Sequence, residues 1–142
     1  MAKTIIALLA TIGAWLFVTG AAWAGWDPTR YENEDTLQFL TVAPEEGEHW
    51  STVWLVILDD EVYVRLGTRA ADRMTANTRA PLTSVRIVGE EFPEVEATAT
   101  PDMADRVATA MADKYATDIF VRYMAHPLTM KLRPRVASPV VP

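Results

Sequence analysis

Apolar and polar positions recur along this chain at two different periods, and each change of period marks an element. Residues 50–58, WSTVWLVIL, are rich in β-branched and aromatic side chains; residues 61–66, EVYVRL, repeat that character, with Asp59 and Asp60 between them. Such runs suit a pleated, half-buried surface, and a two-residue acidic link can fold one onto the other, so the stretch predicts a β-hairpin. Residues 36–42 alternate in part and predict an earlier strand, closed by the solvated loop APEEGE of residues 43–48. Beyond the hairpin the period lengthens. Ala70, Ala71, Met74 and Ala76 fall among Arg69, Asp72, Arg73 and Asn77, predicting a short one-sided helix over residues 68–78, ended by Pro81.

The second half repeats the alternation of strand and helix. Residues 83–88 predict a strand, residues 89–91 a turn, and residues 95–100 a returning strand with Pro93 near its start. Thr100-Pro101-Asp102 predicts a helix start, because threonine can cap free N–H groups, proline suits the first helical position and aspartate complements the dipole. Met103, Val107, Ala110, Met111 and Tyr115 then recur at helical spacing. Residues 118–125, with Ile119, Phe120, Tyr123 and Met124, predict a further short helix, and residues 128–133 a last strand. Residues 135–142 predict a flexible, extended tail, and residues 25–35 an irregular lead-in whose Trp26 and Tyr31 cover an open end of the core. The order of elements is that of an α+β protein, a small barrel of about six strands with two or three short helices.

Residues 1–24 have a different character. Lys3 is followed by an apolar run over residues 4–20, and Ala22 and Ala24 place small residues before Gly25, the tripartite layout of a secretory signal peptide. The alternative is an uncleaved membrane anchor, since residues 5–24 reach the roughly 20 apolar positions that a span needs. Either way the chain is expected to be exported, periplasmic or extracellular, or membrane-anchored through this segment alone. No arginine pair precedes the apolar run, so the chain is expected to cross unfolded and to acquire any cofactor outside the cytoplasm. The net charge of −6 becomes −7 without the leader, which argues against nucleic acid as a partner. With no cysteine, disulfides, thiolate catalysis and zinc-thiolate sites are excluded. At 142 residues there is room for one domain.

Candidate chemistry gathers where the hairpin ends. Arg65, Gly67, Thr68 and Arg69 form a plausible anion cradle, with Arg73 as a third guanidinium, because glycine admits backbone N–H groups and arginine presents a planar donor fork. The competing expectation is that Arg69 and Arg73, four apart on a helix, form a solvated face paired with acids. Trp50 and Trp54 share one strand face and suit either a flat ligand or a core or subunit contact. His49 beside Glu45, Glu46 and Glu48 is expected to be a surface histidine in an acidic loop; the other histidine, His126, precedes a proline, and no metal site is expected. Ser51 lacks a G-x-S-x-G setting, which argues against hydrolysis.

Four stretches are the most specific: Ser51-Thr52-Val53-Trp54, Val62-Tyr63-Val64-Arg65, Asn77-Thr78-Arg79 ahead of a strand, and the helix over residues 102–115 ending in Lys114-Tyr115. On these, residues 36–134 resemble the split β-barrel superfamily of pyridoxamine phosphate oxidases and FMN- or deazaflavin-binding reductases. Within that group they look closest to a bacterial family described as a domain of unknown function. The resemblance implies that Arg69 holds a cofactor phosphate, that Arg65 and Thr68 stand beside it, and that Ser51, Thr52 and Trp54 pass the edge of the isoalloxazine ring. It implies a homodimer, and FMN or a deazaflavin as a planar anionic cofactor supporting hydride transfer. Thr52 and Thr78 stand where many relatives carry proline, and Arg73 where asparagine is frequent. The alternative is a cofactor-free binding or structural module of the cell envelope.

Overall fold

The computed structural model describes residues 25–115 and 126–135. The helix expected over residues 118–125, the leader and nearly all of the tail lie outside the described residues. Six antiparallel strands, β1 (Thr36–Ala43), β2 (Gly47–Leu58), β3 (Glu61–Leu66), β4 (Leu82–Ile87), β5 (Glu90–Ala99) and β6 (Leu128–Pro134), close into a barrel in the order β1-β2-β3-β6-β5-β4. Helix α1 (Thr68–Ala76) follows β3, and helix α2 (Ala104–Lys114) follows β5. Short 3-10 turns at Pro28–Tyr31 and Pro101–Met103 complete the described elements. Among the described residues no helix is long and apolar enough to cross a membrane.

The period of two along each strand sorts side chains between the barrel interior and its outer face. Leu37 and Phe39 of β1 oppose Val53 and Ser51 of β2, and Leu55 opposes Val64 of β3, so one parity of each strand fills the interior. Val85, Val95 and Leu132 continue that layer around the ring. α1 closes the end where β1 and β3 finish, inserting Ala71 and Met74. Trp26 and Tyr31 close the other end, with the Trp26 ring edge-on to Tyr31 and Phe92 at 5.6 and 5.0 Å. A second apolar cluster forms outside the barrel, where Val107 and Met111 of α2 cover Val56 and Tyr63 of the hairpin.

Three local expectations are corrected. The turn predicted over residues 89–91 is the pair Val88 and Gly89, both at positive φ (52° and 74°), and β5 already starts at Glu90. Pro93 therefore lies inside a ten-residue strand. It is tolerated because the register shifts between Thr83 and Val85, and a bulge has no ladder bond for proline to lose. The Pro93 carbonyl instead accepts from Ser84 Oγ at 2.9 Å. The second correction is that Thr100 does not cap a helix through its side chain. It is buried at the end of β5, where its N–H and hydroxyl both turn to the Thr129 carbonyl, and a 3-10 turn intervenes before α2. Third, α1 stops at Ala76, because Asn77 leaves the helix to bond elsewhere.

Candidate functional site

The central hairpin folds through Asp59 and Asp60, at φ 51° and 59°, a two-residue turn whose twist matches that of its strands. Its ladder runs only as far as Leu55 opposite Val64. Beyond that pair β2 continues against β1 alone, while Arg65 and Leu66 of β3 turn to Thr129 and Leu128 of β6. The two strands part, and the opening is a groove of about 230 Å³ lined by Thr52, Val53, Trp54, Arg65, Gly67 and His126. The Leu55 N–H bonds the Asp35 carbonyl on the β1 side. Since main-chain groups alternate in direction along a strand, those of Trp54 and Thr52 are aimed at the opening.

Trp54 is held from behind. Its ring stacks on Tyr115 at 5.4 Å with 23° between planes. Tyr115 is itself fixed, its hydroxyl 2.7 Å from the Asp35 carbonyl and 2.8 Å from the Leu55 carbonyl, and able to donate to either. Lys114 Nζ donates to the Glu34 and Leu55 carbonyls, so the end of α2 is laced to the start of β1 and to β2. Burial pushes the Tyr115 phenol up to about 12 and the Lys114 ammonium down.

A phenol whose folded pKa is raised stabilises the fold fully below its unfolded value near 10, and that contribution is lost as pH rises from there through about 12. Alkaline titration followed by tyrosinate absorbance is therefore expected to show Tyr115 ionising together with unfolding. Tyr115→Phe keeps the stack on Trp54, loses about 1 kcal/mol at neutral pH and shifts alkaline unfolding to higher pH. An unchanged alkaline midpoint in that variant would contradict the assignment.

Arg65 is the cation of the groove. It is half-buried, and among the described residues no carboxylate or carbonyl bonds its guanidinium. Burial lowers its pKa, with no acid beside it to offset that. Gly67, the N-cap of α1, lies next to it and lines the same opening.

The other residues expected around an anion do not gather there. Arg73 Nε bonds Glu46 at 3.0 and 3.2 Å, and Glu46 also stands 3.5 Å from His49 Nδ1, so Arg73 is neutralised at the β1–β2 loop. The partner is Glu46, and not the adjacent Asp72. Thr68 and Arg69 are exposed on the first turn of α1 and do not line the groove. Ser51 has the parity of Val53 and Leu55, opposes Phe39, and buries its hydroxyl without a hydrogen-bond partner. Thr52 and Trp54 do line the groove, with Val53 between them. Trp50 is covered by the Arg86 guanidinium, 3.7 Å from its ring. Two contributors were not anticipated, Tyr115 behind Trp54 and His126 across from it. His126 arrives because β6 pairs with β3 and sets Leu128 opposite Leu66.

No family model matches the sequence, and no curated protein matches it. Solved structures do. The chain is similar to the heme storage protein HutZ from Vibrio cholerae, at a TM-score of 0.56 and 16% identity, covering 77% of this chain and 88% of that one. It is similar to the F420-H2 dependent reductase FDR-A, at 0.51 and 11%, covering 70% and 95%. A third similar structure is a domain-swapped dimer, at 0.52 and 10%, covering 70% and 81%. At these identities the likeness is one of fold, and in this chain that fold is a barrel of six antiparallel strands flanked by two helices. The chain has a split β-barrel fold.

Proposed function

We propose that this is an exported split-barrel protein that holds a planar anionic cofactor in the groove between β2 and β3. The observation that carries the reading is Arg65, a half-buried guanidinium without a counter-ion among the described residues, in the same opening as Trp54. A half-buried cation without an acid beside it is partly desolvated at some cost and suits an anionic ligand that supplies the charge. Arg65 and the backbone at Gly67 would hold the anionic end, and Trp54, fixed by Tyr115, would lie against the flat ring. The heme and F420 of the similar proteins' names agree with a flat ligand in general; FMN or a deazaflavin is the specific choice proposed here. When bound, either would supply hydride transfer, while the chain's own residues bind it, orient it and exclude water.

The groove is smaller than the roughly 300–1,000 Å³ of a typical ligand pocket, so a second copy of the chain is inferred to complete it. A second reading, a cofactor-free module of the cell envelope, draws on the dispersal of Thr68, Arg69 and Arg73 away from Arg65. Titration of the purified protein with FMN, a deazaflavin and heme, followed by visible absorbance and tryptophan quenching, separates the two. Saturable binding of at least one, by a dimer in sedimentation, is the expected result. A protein that stays colourless and unquenched with all three is the cofactor-free module.

A further inference from the structure

Gly25 is clamped from both sides in a conformation that other residues avoid. Its φ is 85°, and its carbonyl accepts from the Tyr31 hydroxyl at 3.0 Å and from Arg30 Nη1 at 3.4 Å. The next residue, Trp26, is 9% exposed in the plug at that end of the barrel. A β-carbon added to residue 25 would stand 2.9 Å from Glu90 Oε2 and 3.7 Å from the Phe92 ring. The carboxylate therefore fills the space that a side chain at residue 25 would need. The two oxygens of that carboxylate are used unequally. Oε1 takes Arg30 Nη2 at 3.1 Å, while Oε2, the oxygen facing Gly25, has no donor among the described residues.

In the sequence, Ala22 and Ala24 put small residues at the first and third positions before Gly25, as endopeptidases that remove leaders require. We propose that the bond between Ala24 and Gly25 is hydrolysed, and that Glu90 Oε2 receives the ammonium group this frees. One water is consumed: its oxygen ends in the Ala24 carboxylate of the departing leader, and the Gly25 nitrogen becomes an ammonium. That nitrogen is one bond from the α-carbon whose side-chain direction points at Oε2, within reach of a carboxylate on an exposed side chain. A neutral amide with one donor is replaced by a cation with three, beside an acceptor that lacks one. The remaining charged and titratable groups around it are Arg30, Asp27 and the Tyr31 phenol. Processing would thus complete the lock that holds Trp26 and Tyr31 in the barrel end, and it explains why glycine stands at position 25. The proposal shares only the export element of the functional reading above; failure to bind a cofactor leaves it untouched.

Full-length chain produced in an exporting bacterial host provides the test. Intact mass is expected to match residues 25–142. The amine of the processed protein, ¹⁵N-labelled at glycine and titrated by NMR, is expected to titrate at least about half a unit above its usual 7.7–8.0, and Glu90→Gln to restore the usual value. Because a raised folded pKa stabilises below the unfolded value and is lost above it, the melting temperature should fall as pH rises from about 8 to 9.5, and N-acetylated protein should not show that fall. Retention of the leader, or a cut elsewhere, overturns the whole proposal. A cut at this bond with an amine of ordinary pKa overturns the role of Glu90, and this is read in the wild-type chain even if the variant fails to fold.

Discussion

Asn77→Ala is expected to destabilise the protein by about 3 kcal/mol, lowering its melting temperature by on the order of 10 °C. Asn77 is 5% exposed and uses both ends of its amide. Its Oδ1 accepts from the N–H groups of Val42 and Arg79, each at 3.2 Å, and its Nδ2 donates to the Leu82 carbonyl at 2.9 Å. One side chain thus joins the end of β1, the exit of α1 and the start of β4. Alanine removes three bonds and leaves two main-chain donors without a partner at a site where water cannot easily follow. The stranded donors cost more than the bonds contributed. Asn77→Asp keeps the acceptor and places a carboxylate against the Leu82 carbonyl, so it is expected to be no better than alanine. Thermal unfolding of both variants measures this; a loss below about 1 kcal/mol for Asn77→Ala would refute the role. The neighbouring Thr78 adds its N–H and hydroxyl to the Val42 carbonyl. The resemblance that Asn77-Thr78-Arg79 carries in the sequence is thus explained by a joint in the barrel, without a ligand.

How much of this was legible follows from where each signal sits in the chain. The hairpin was legible because a period of two and a two-residue turn are local, and Asp59 and Asp60 occupy the positive-φ positions that such a turn requires. β5 was legible only in its second half. Its first residues, EEFPE, carry acids and a proline, and the bulge that admits them is a property of the pairing with β4. Trp54 and Arg65 could be found together because they follow Leu55 and Val64 in the hairpin register. Ser51 was expected at the cofactor edge, and its burial opposite Phe39 is decided by the pairing of β2 with β1. Tyr115 and His126 could not be placed beside Trp54 and Arg65, because the packing of α2 on the hairpin and the pairing of β6 with β3 bring them there and no local pattern encodes either. Arg73 follows the competing expectation of a solvated face paired with acids, but its partner could not be named, because Glu46 lies far back in the sequence on the β1–β2 loop.

Arg65→Met is expected to weaken the proposed anionic cofactor by about 30- to 100-fold, while leaving the melting temperature of the ligand-free protein unchanged or higher. The first half follows from the charge-assisted bonds of a guanidinium to an anion, about 2–3 kcal/mol, which methionine cannot make. The second half follows from the setting of Arg65 in the free protein. Its guanidinium is half-buried, its pKa is lowered by burial, and among the described residues it bonds nothing that its removal would strand. A flexible apolar side chain of similar length fills the same space without the desolvation cost. Arg69→Ala is the internal comparison, since that exposed side chain does not line the groove and is expected to change affinity less than threefold. Affinity from absorbance titration and stability from thermal unfolding are read on the same three proteins. A groove residue that served only the fold would lower stability when replaced, and a residue of no consequence would change neither quantity. Only a cation held ready for a ligand gives weaker binding together with an equal or more stable free protein, so a loss of stability in Arg65→Met, or unchanged affinity, would remove Arg65 from the site.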